Sequence, residues 1–275
     1  MKRVSLFEQG TYAPGWIRDF YSQAAIWWGD DPNEPGVHQA RLANVQRLAG
    51  LPPKRMLDLG AGAFATAGVM ADAGYDVTGI ELSTARCELA RKVAAAPHKG
   101  KITLVEGNFL KADVGGDYDV ICAWEVFGLG SDAEQRQLLK RMSSEWLAPS
   151  GLALVEVYTP VTPMRNAGTE VHLDALEGVP GSVDMIERCH FDPVYSRWID
   201  EWVPEKDPKA ALAQAIRCYT PADLLLLLEG TGMQLERIEA GGEEIDFRSG
   251  KITTGGPLMG KENNYNYLTV LKASA

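Results

Sequence analysis

The chain has 275 residues, 45% of them hydrophobic and 23% charged, which suits one large domain or a domain with a sizeable insertion. Its 37 acidic residues against 27 basic ones give a formal net charge of -10, which argues against general binding of nucleic acid or of an anionic membrane. Cys87, Cys122, Cys189 and Cys218 form no C-x-x-C pair, His38, His98, His172 and His190 show no ligand spacing with them, and no secretory h-region or apolar run of about 18 residues occurs. Reduced thiols, a cytoplasmic location and no metal are therefore expected.

In chain order, Trp16 to Trp28 places bulky apolar groups at helical spacing, and Gly29 to Gly36 breaks the pattern. A second helix is expected from about His38 to Leu48, with Leu42, Val45 and Leu48 on one face. From Arg55 strands and helices alternate. Strands are expected at Met56–Leu59, Tyr75–Glu81, Ile102–Val105, Tyr118–Ala123 and Leu152–Tyr158. Helices are expected at Phe64–Ala73, stopped by Gly74, from Ser83 to about Ala95, and from Ser131 to Leu147. Such alternation predicts a doubly wound, mostly parallel sheet. Residues 159–217 interrupt it with strands at Asp184–Phe191 and Tyr195–Val203 and a third at Ala211–Tyr219, an antiparallel insertion after the fifth strand. A helix at Pro221–Gly230 and strands near Gln234–Ala240 and Tyr265–Leu271 resume the alternation. The chain thus divides into a helical lid (1–50), a ligand-binding core (51–158), an insertion serving substrate or oligomer contacts (159–219) and a return to the core sheet (220–275).

The strand Met56-Leu57-Asp58-Leu59 runs into Gly60-Ala61-Gly62 and then a helix, so backbone without side chains can approach a ligand. Glu81 ends the next strand, where a carboxylate can accept hydrogen bonds from both hydroxyls of a ribose. This describes an adenosine pocket. The pattern Gly60-x-Gly62-x-x-Ala65 also fits a dinucleotide fingerprint, so a nicotinamide-dependent oxidoreductase is an alternative, as is a non-catalytic binding protein on the same fold.

Leu57-Asp58-Leu59-Gly60-Ala61-Gly62 resembles the first motif of class I S-adenosylmethionine-dependent methyltransferases. Gly79-Ile80-Glu81-Leu82-Ser83 is similar to their second strand with its ribose-binding acid. Glu106-Gly107-Asn108-Phe109 resembles the turn bordering the adenine, Asp119 to Phe127 the fourth strand and its exit loop, and Leu147 to Gly151 the turn before the fifth strand. The tail from Arg217 to Leu224 and the last strand extend the likeness to the small-molecule branch. Phe64 departs from it, standing where many members have a third glycine. The resemblance implies a Rossmann-like, seven-stranded sheet with an antiparallel last strand and S-adenosyl-L-methionine as cofactor. It places Asp58, Gly60, Ala61, Gly62, Glu81, Leu82, Asn108, Phe109 and Trp124 around the methyl donor.

For the acceptor, Glu125 and Tyr21 are the candidates beside the transferred methyl. Tyr12, Trp28, Phe127 and Trp198 are candidate substrate walls, since aromatic faces attract a cationic acceptor. Both nitrogen and oxygen acceptors remain open. A nucleic-acid acceptor is disfavoured by the charge and by the lack of an Asn/Asp-Pro-Pro-aromatic motif after the fourth strand. A small molecule is the expected partner, membrane contact is not expected, and homo-oligomerisation is left open.

Overall fold

The computed structural model describes residues 16–29, 36–259 and 264–274. Helices α1 (Trp16–Trp28) and α2 (Val37–Ala49) precede the alternating part. The alternation comprises β1 (Arg55–Leu59), α3 (Ala65–Ala73), β2 (Asp76–Glu81), α4 (Thr84–Ala95) and β3 (Ile102–Glu106). It continues with β4 (Tyr118–Phe127), α5 (Asp132–Arg141) and β5 (Leu147–Tyr158). Ser131 caps α5 through a capping box with Glu134, satisfying two orphan backbone donors. A π turn over Met142–Trp146 replaces the last turn of the helix expected to reach Leu147.

After β5 the chain makes a short helix, α6 (Val161–Asn166), and then β6 (Glu170–Leu173), β7 (Met185–Asp192), β8 (Arg197–Pro204) and β9 (Leu212–Arg217). The last part holds α7 (Pro221–Leu228), β10 (Met233–Ala240), β11 (Glu243–Glu244) and β12 (Asn266–Ala273). The main sheet has eight strands in the order β11-β10-β12-β5-β4-β1-β2-β3. The expectation of seven strands misses the two-residue β11, too short to leave a pattern in the sequence. As expected, β12 runs antiparallel, against both β5 and β10.

Period-two alternation sends side chains to two cores. Met56, Val120 and Cys122 pack on one face with Val45, Ala67 and Met70 of α2 and α3. Leu57, Leu59, Ile121 and Ala123 pack on the other with Leu138 and Leu139 of α5 and Leu224 of α7. The insertion is a separate antiparallel sheet, β6-β7-β8-β9. It has four strands rather than two or three, because β6, with all four residues exposed, carries no burial pattern. Its turn lies beyond Asp192, whose Oδ1 accepts from the amides of Val194 and Tyr195 while Asp192 still pairs with Arg197.

The two sheets meet in a third apolar cluster of Leu129, Tyr158, Trp198 and Ile216, against which Ile17 and Tyr21 of α1 pack. Gly128 belongs to this seam. Its φ is +104°, and a Cβ there would stand 2.4 Å from the Arg217 carbonyl oxygen. Among the described residues no helix is long and apolar enough to cross a membrane. The four cysteines are unpaired and buried.

Candidate functional site

A cavity of about 350 Å³ opens at the carboxyl ends of β1, β2 and β4, the position favoured for ligands in open α/β sheets. One end is made largely of backbone. The carboxylate of Glu81, at the tip of β2, accepts from the Gly62 amide at 2.9 Å and from the Ser83 amide at 2.7 Å, tying the β1 and β2 turns together. Burial raises its pKa, against the lowering effect of those two amides. Gly60 and Gly62 both have positive φ, and around Gly62 the nearest atom to an added Cβ is Arg86 Nη1 at 3.9 Å, leaving room for a ligand. Asn108 caps its own loop, its Oδ1 accepting from the Leu110 amide at 2.8 Å, and Arg141 holds the Phe109 and Ala112 carbonyls. Asp58, Gly60, Ala61, Gly62, Glu81, Leu82, Asn108, Phe109 and Trp124 all line this one cavity.

Phe64 does not. It adopts the left-handed region at φ +71° and is fully buried. A Cβ on Gly79 would come within 2.5 Å of its ring, so Gly79 and Phe64 form one packed unit beneath the turn. The absent third glycine thus changes the core below the pocket and leaves the pocket lining intact.

The exit of β4 carries a bulge. Ala123 pairs with Val155 and Phe127 with Val157, so four residues of β4 span two of β5. Trp124, Glu125 and Val126 swell into the cavity, and Glu125 sits at φ +57°. Strain of this kind in a non-glycine residue persists where the surroundings impose it. Val126 also explains Gly60, since a Cβ there would lie 2.4 Å from Val126 Cγ1. The bulge returns Phe127 to the ladder, fully buried against Tyr219 with ring centroids 5.7 Å apart. Phe127 is therefore a core side chain and not a wall of the cavity.

Arg41, which the sequence reading does not single out, is the electrostatic hub. It is 6% exposed and reaches Glu125 at 2.7 Å and Glu156 at 3.5 Å, with its guanidinium over the Trp124 ring. Burial pushes the Glu156 and Asp58 carboxyls each up to about 7, with Arg41 opposing in both cases. Arg41 was legible only as a cation four residues before Val45 on the apolar face of α2. Asp58 accepts no hydrogen bond, and the Arg86 side chain donates none, among the described residues. Both line the cavity, Asp58 within the field of Arg41 and Arg86 within that of Glu81, and the buried Nε of Arg86 has no hydrogen-bond partner.

The other end is built from distant side chains. Tyr21, Trp28 and Ile17 come from α1, Leu129 and Tyr158 from the main sheet's exits, and Gln214 from β9. Burial and then Glu125 push the phenols of both Tyr21 and Tyr158 up, so both stay neutral. Trp198, expected as a substrate wall, lies outside the cavity, stacked on Tyr265 at 4.6 Å and tilted against Tyr158 at 5.6 Å. Trp202 on the same strand instead supports Trp28, ring centroids 4.7 Å apart. Tyr12 lies outside the described residues. His172 and His190 pair with Glu205 and Glu201, away from the cavity. Sequence reasoning missed Ile17, His38, Arg41, Arg86, Tyr158 and Gln214, which reach the site only through tertiary contacts.

Residues 37–238 match a family model described as a methyltransferase domain. A ubiquinone biosynthesis O-methyltransferase of Bordetella avium (strain 197N) is 33% identical over 112 residues, 39% of this chain and 46% of that protein. The chain thus spans about half the length of the curated relatives it matches. Among solved structures, the CcbJ methyltransferase of Streptomyces caelestis superposes with a TM-score of 0.69 and 24% identity, covering 94% of this chain and 96% of that one. The amino pentose methyltransferase CalS10 of Micromonospora echinaspora, solved with S-adenosylmethionine bound, superposes with a TM-score of 0.58 and 19% identity, covering 96% of this chain and 98% of that one. At those identities the likeness speaks for the fold alone. The family match, which spans most of the chain, decides membership: this chain belongs to the methyltransferase domain family, in keeping with its resemblance to the S-adenosylmethionine-dependent class I enzymes.

Proposed function

We propose that the chain transfers a methyl group from S-adenosylmethionine to a nitrogen of a small-molecule acceptor. One observation carries this reading: a single cavity whose glycine-rich end presents Glu81 and whose other end is an aromatic chamber facing Glu125. The donor fits the residues present. Glu81 stands where a ribose diol would be held, and Gly62 leaves the close approach free. The Asp58 carboxyl and the Arg86 guanidinium, whose Nε has no hydrogen-bond partner, line this end and complement the ammonium and carboxylate of an amino-acid end. Asn108 and Phe109 would border the adenine.

When bound, the sulfonium supplies an activated methyl for in-line displacement, so the protein's task is alignment and exclusion of water. Tyr21, Trp28 and Tyr158 wall the acceptor and attract a cation. Glu125, with one oxygen held by Arg41 at 2.7 Å, offers the other to an ammonium group and receives its proton before transfer. Residues 1–50 act as the lid, and 159–219 as the insertion that shapes the acceptor chamber. The name of a solved neighbour, an amino pentose methyltransferase, agrees with a nitrogen acceptor, and that of the O-methyltransferase relatives with an oxygen one.

The test is isothermal titration with S-adenosylhomocysteine, with NAD and NADP in parallel, followed by mass-spectrometric screening of small amines and phenols. Micromolar binding of S-adenosylhomocysteine alone and methylated amines among the products are expected. Binding of a dinucleotide instead would replace this reading with that of an oxidoreductase, and methylation of phenols alone would move the acceptor to oxygen.

A further inference from the structure

The second sheet holds a buried carboxylate that the reaction above does not use. Asp200, at the centre of β8, is 2% exposed. Two donors converge on its Oδ2: Gln214 Nε2 at 2.7 Å from β9 and Trp202 Nε1 at 2.8 Å. Glu187 lies diagonally across on β7, and burial, then this second carboxyl, push Asp200 up to about 7. Oδ2 accepts from both neighbours whether the carboxyl is ionised or carries its proton on Oδ1.

This fixes a chain of hydrogen positions. The amide end of Gln214 that faces a carboxyl oxygen already accepting from Trp202 must be its NH₂. The opposite end is therefore the carbonyl Oε1, and it lies 3.1 Å from the Tyr21 hydroxyl. With only a lone pair available there, Tyr21 must donate. Its hydrogen points toward the second sheet, and its oxygen presents lone pairs to the cavity that Tyr21 and Gln214 both line. Trp202, held by the same Asp200 oxygen, backs Trp28 in the neighbouring wall.

We propose that Asp200 and Gln214 are positioning residues that set the Tyr21 hydroxyl as a hydrogen-bond acceptor, so that the site selects acceptor molecules able to donate an N–H or O–H to it. The inference rests on the reading of this end of the cavity as the acceptor chamber, and it names what the second sheet contributes to it. Because both bonds to Asp200 end on one oxygen, the neutral isostere Asn serves as well as Asp, with its own Oδ1 in that place. A side chain without that oxygen frees the Gln214 amide to turn, and Tyr21 with it.

The experiment uses the full chain with tyrosine labelled at Cζ for NMR, the Tyr21 signal being assigned by its loss in Tyr21→Phe, and S-adenosylhomocysteine present. Asp200→Ala should shift the Tyr21 signal by more than its line width, Asp200→Asn should leave it at the wild-type position, and Gln214→Leu should shift it as Asp200→Ala does. Gln214 is only partly buried, so its variant decides the question if Asp200→Ala does not fold. A Tyr21 signal unmoved in Gln214→Leu, or moved equally in Asp200→Asn and Asp200→Ala, would overturn the proposal. The signal is readable whether or not S-adenosylhomocysteine binds, so failure of the functional reading is registered separately in the titration.

Discussion

The two ends of the cavity are built by different means. At the glycine-rich end, ligand-facing groups come from three consecutive turns within residues 58–110 and are fixed by backbone hydrogen bonds to Glu81 and Asn108. At the aromatic end they come from α1, the β4 bulge, the end of β5 and β9, and are fixed by side-chain contacts across as many as 193 positions, as between Tyr21 and Gln214. A backbone-built site depends on local turn chemistry and tolerates few substitutions at its glycines. A side-chain-built site can be re-cut without disturbing the sheet that holds the first. Under the proposed function, this division would let one fold keep its donor while changing its acceptor.

The comparison is broken most severely by removing Arg41, which serves both ends by facing Asp58 at one and Glu125 at the other. Arg41→Met leaves Asp58, Glu125 and Glu156 without their counter-charge and should cost about 3 kcal/mol of stability, read as a lowered urea midpoint. An unchanged midpoint would mean that the cluster is solvated. A change confined to the donor end comes next. Glu81→Ala removes the acceptor of two backbone amides and the proposed ribose ligand, and should weaken S-adenosylhomocysteine binding about a hundredfold.

At the other end, Glu125→Gln should lower kcat/KM for an amine acceptor about tenfold with little change in donor affinity. Equal turnover by both proteins would remove Glu125 from the reaction.

A further effect is read as a slope against pH. Burial places the Asp58 carboxyl near 7 in the folded chain, above its unfolded value, so the folded state binds the extra proton and stability falls as pH rises between about 4 and 7. One such group sets a slope of at most about 1.4 kcal/mol per pH unit. Asp58→Asn should match wild-type stability near pH 4 and exceed it increasingly toward pH 7, then run parallel. Parallel curves throughout would place the Asp58 carboxyl at its ordinary value.

The same division explains what the sequence discloses. The β1 glycines, Glu81 and the Asn108 turn could be read because each motif is contiguous and its spacing follows from strand and turn geometry. The bulge at Trp124 to Val126 could not, since it depends on the pairing of β4 with β5, and Phe127 was accordingly assigned to the cavity rather than the core. Trp198 and Trp202 share a strand face, yet only the packing of α1 decides that Trp202 backs the chamber while Trp198 fills the seam. Gln214, in a strand with no motif, carries no local signal at all. Arg41 left one faint sign, a cation within the apolar stripe of α2.

In the proposed function the donor is held by the β1 and β2 turns and the acceptor by α1 and the second sheet. The most direct measurement is isothermal titration of S-adenosylhomocysteine into the wild-type chain, Glu81→Ala and Gln214→Leu. Micromolar binding to the wild type, near-complete loss in Glu81→Ala and wild-type affinity in Gln214→Leu are expected. Equal affinity in the wild type and Glu81→Ala, or a loss as deep in Gln214→Leu, would contradict this reading.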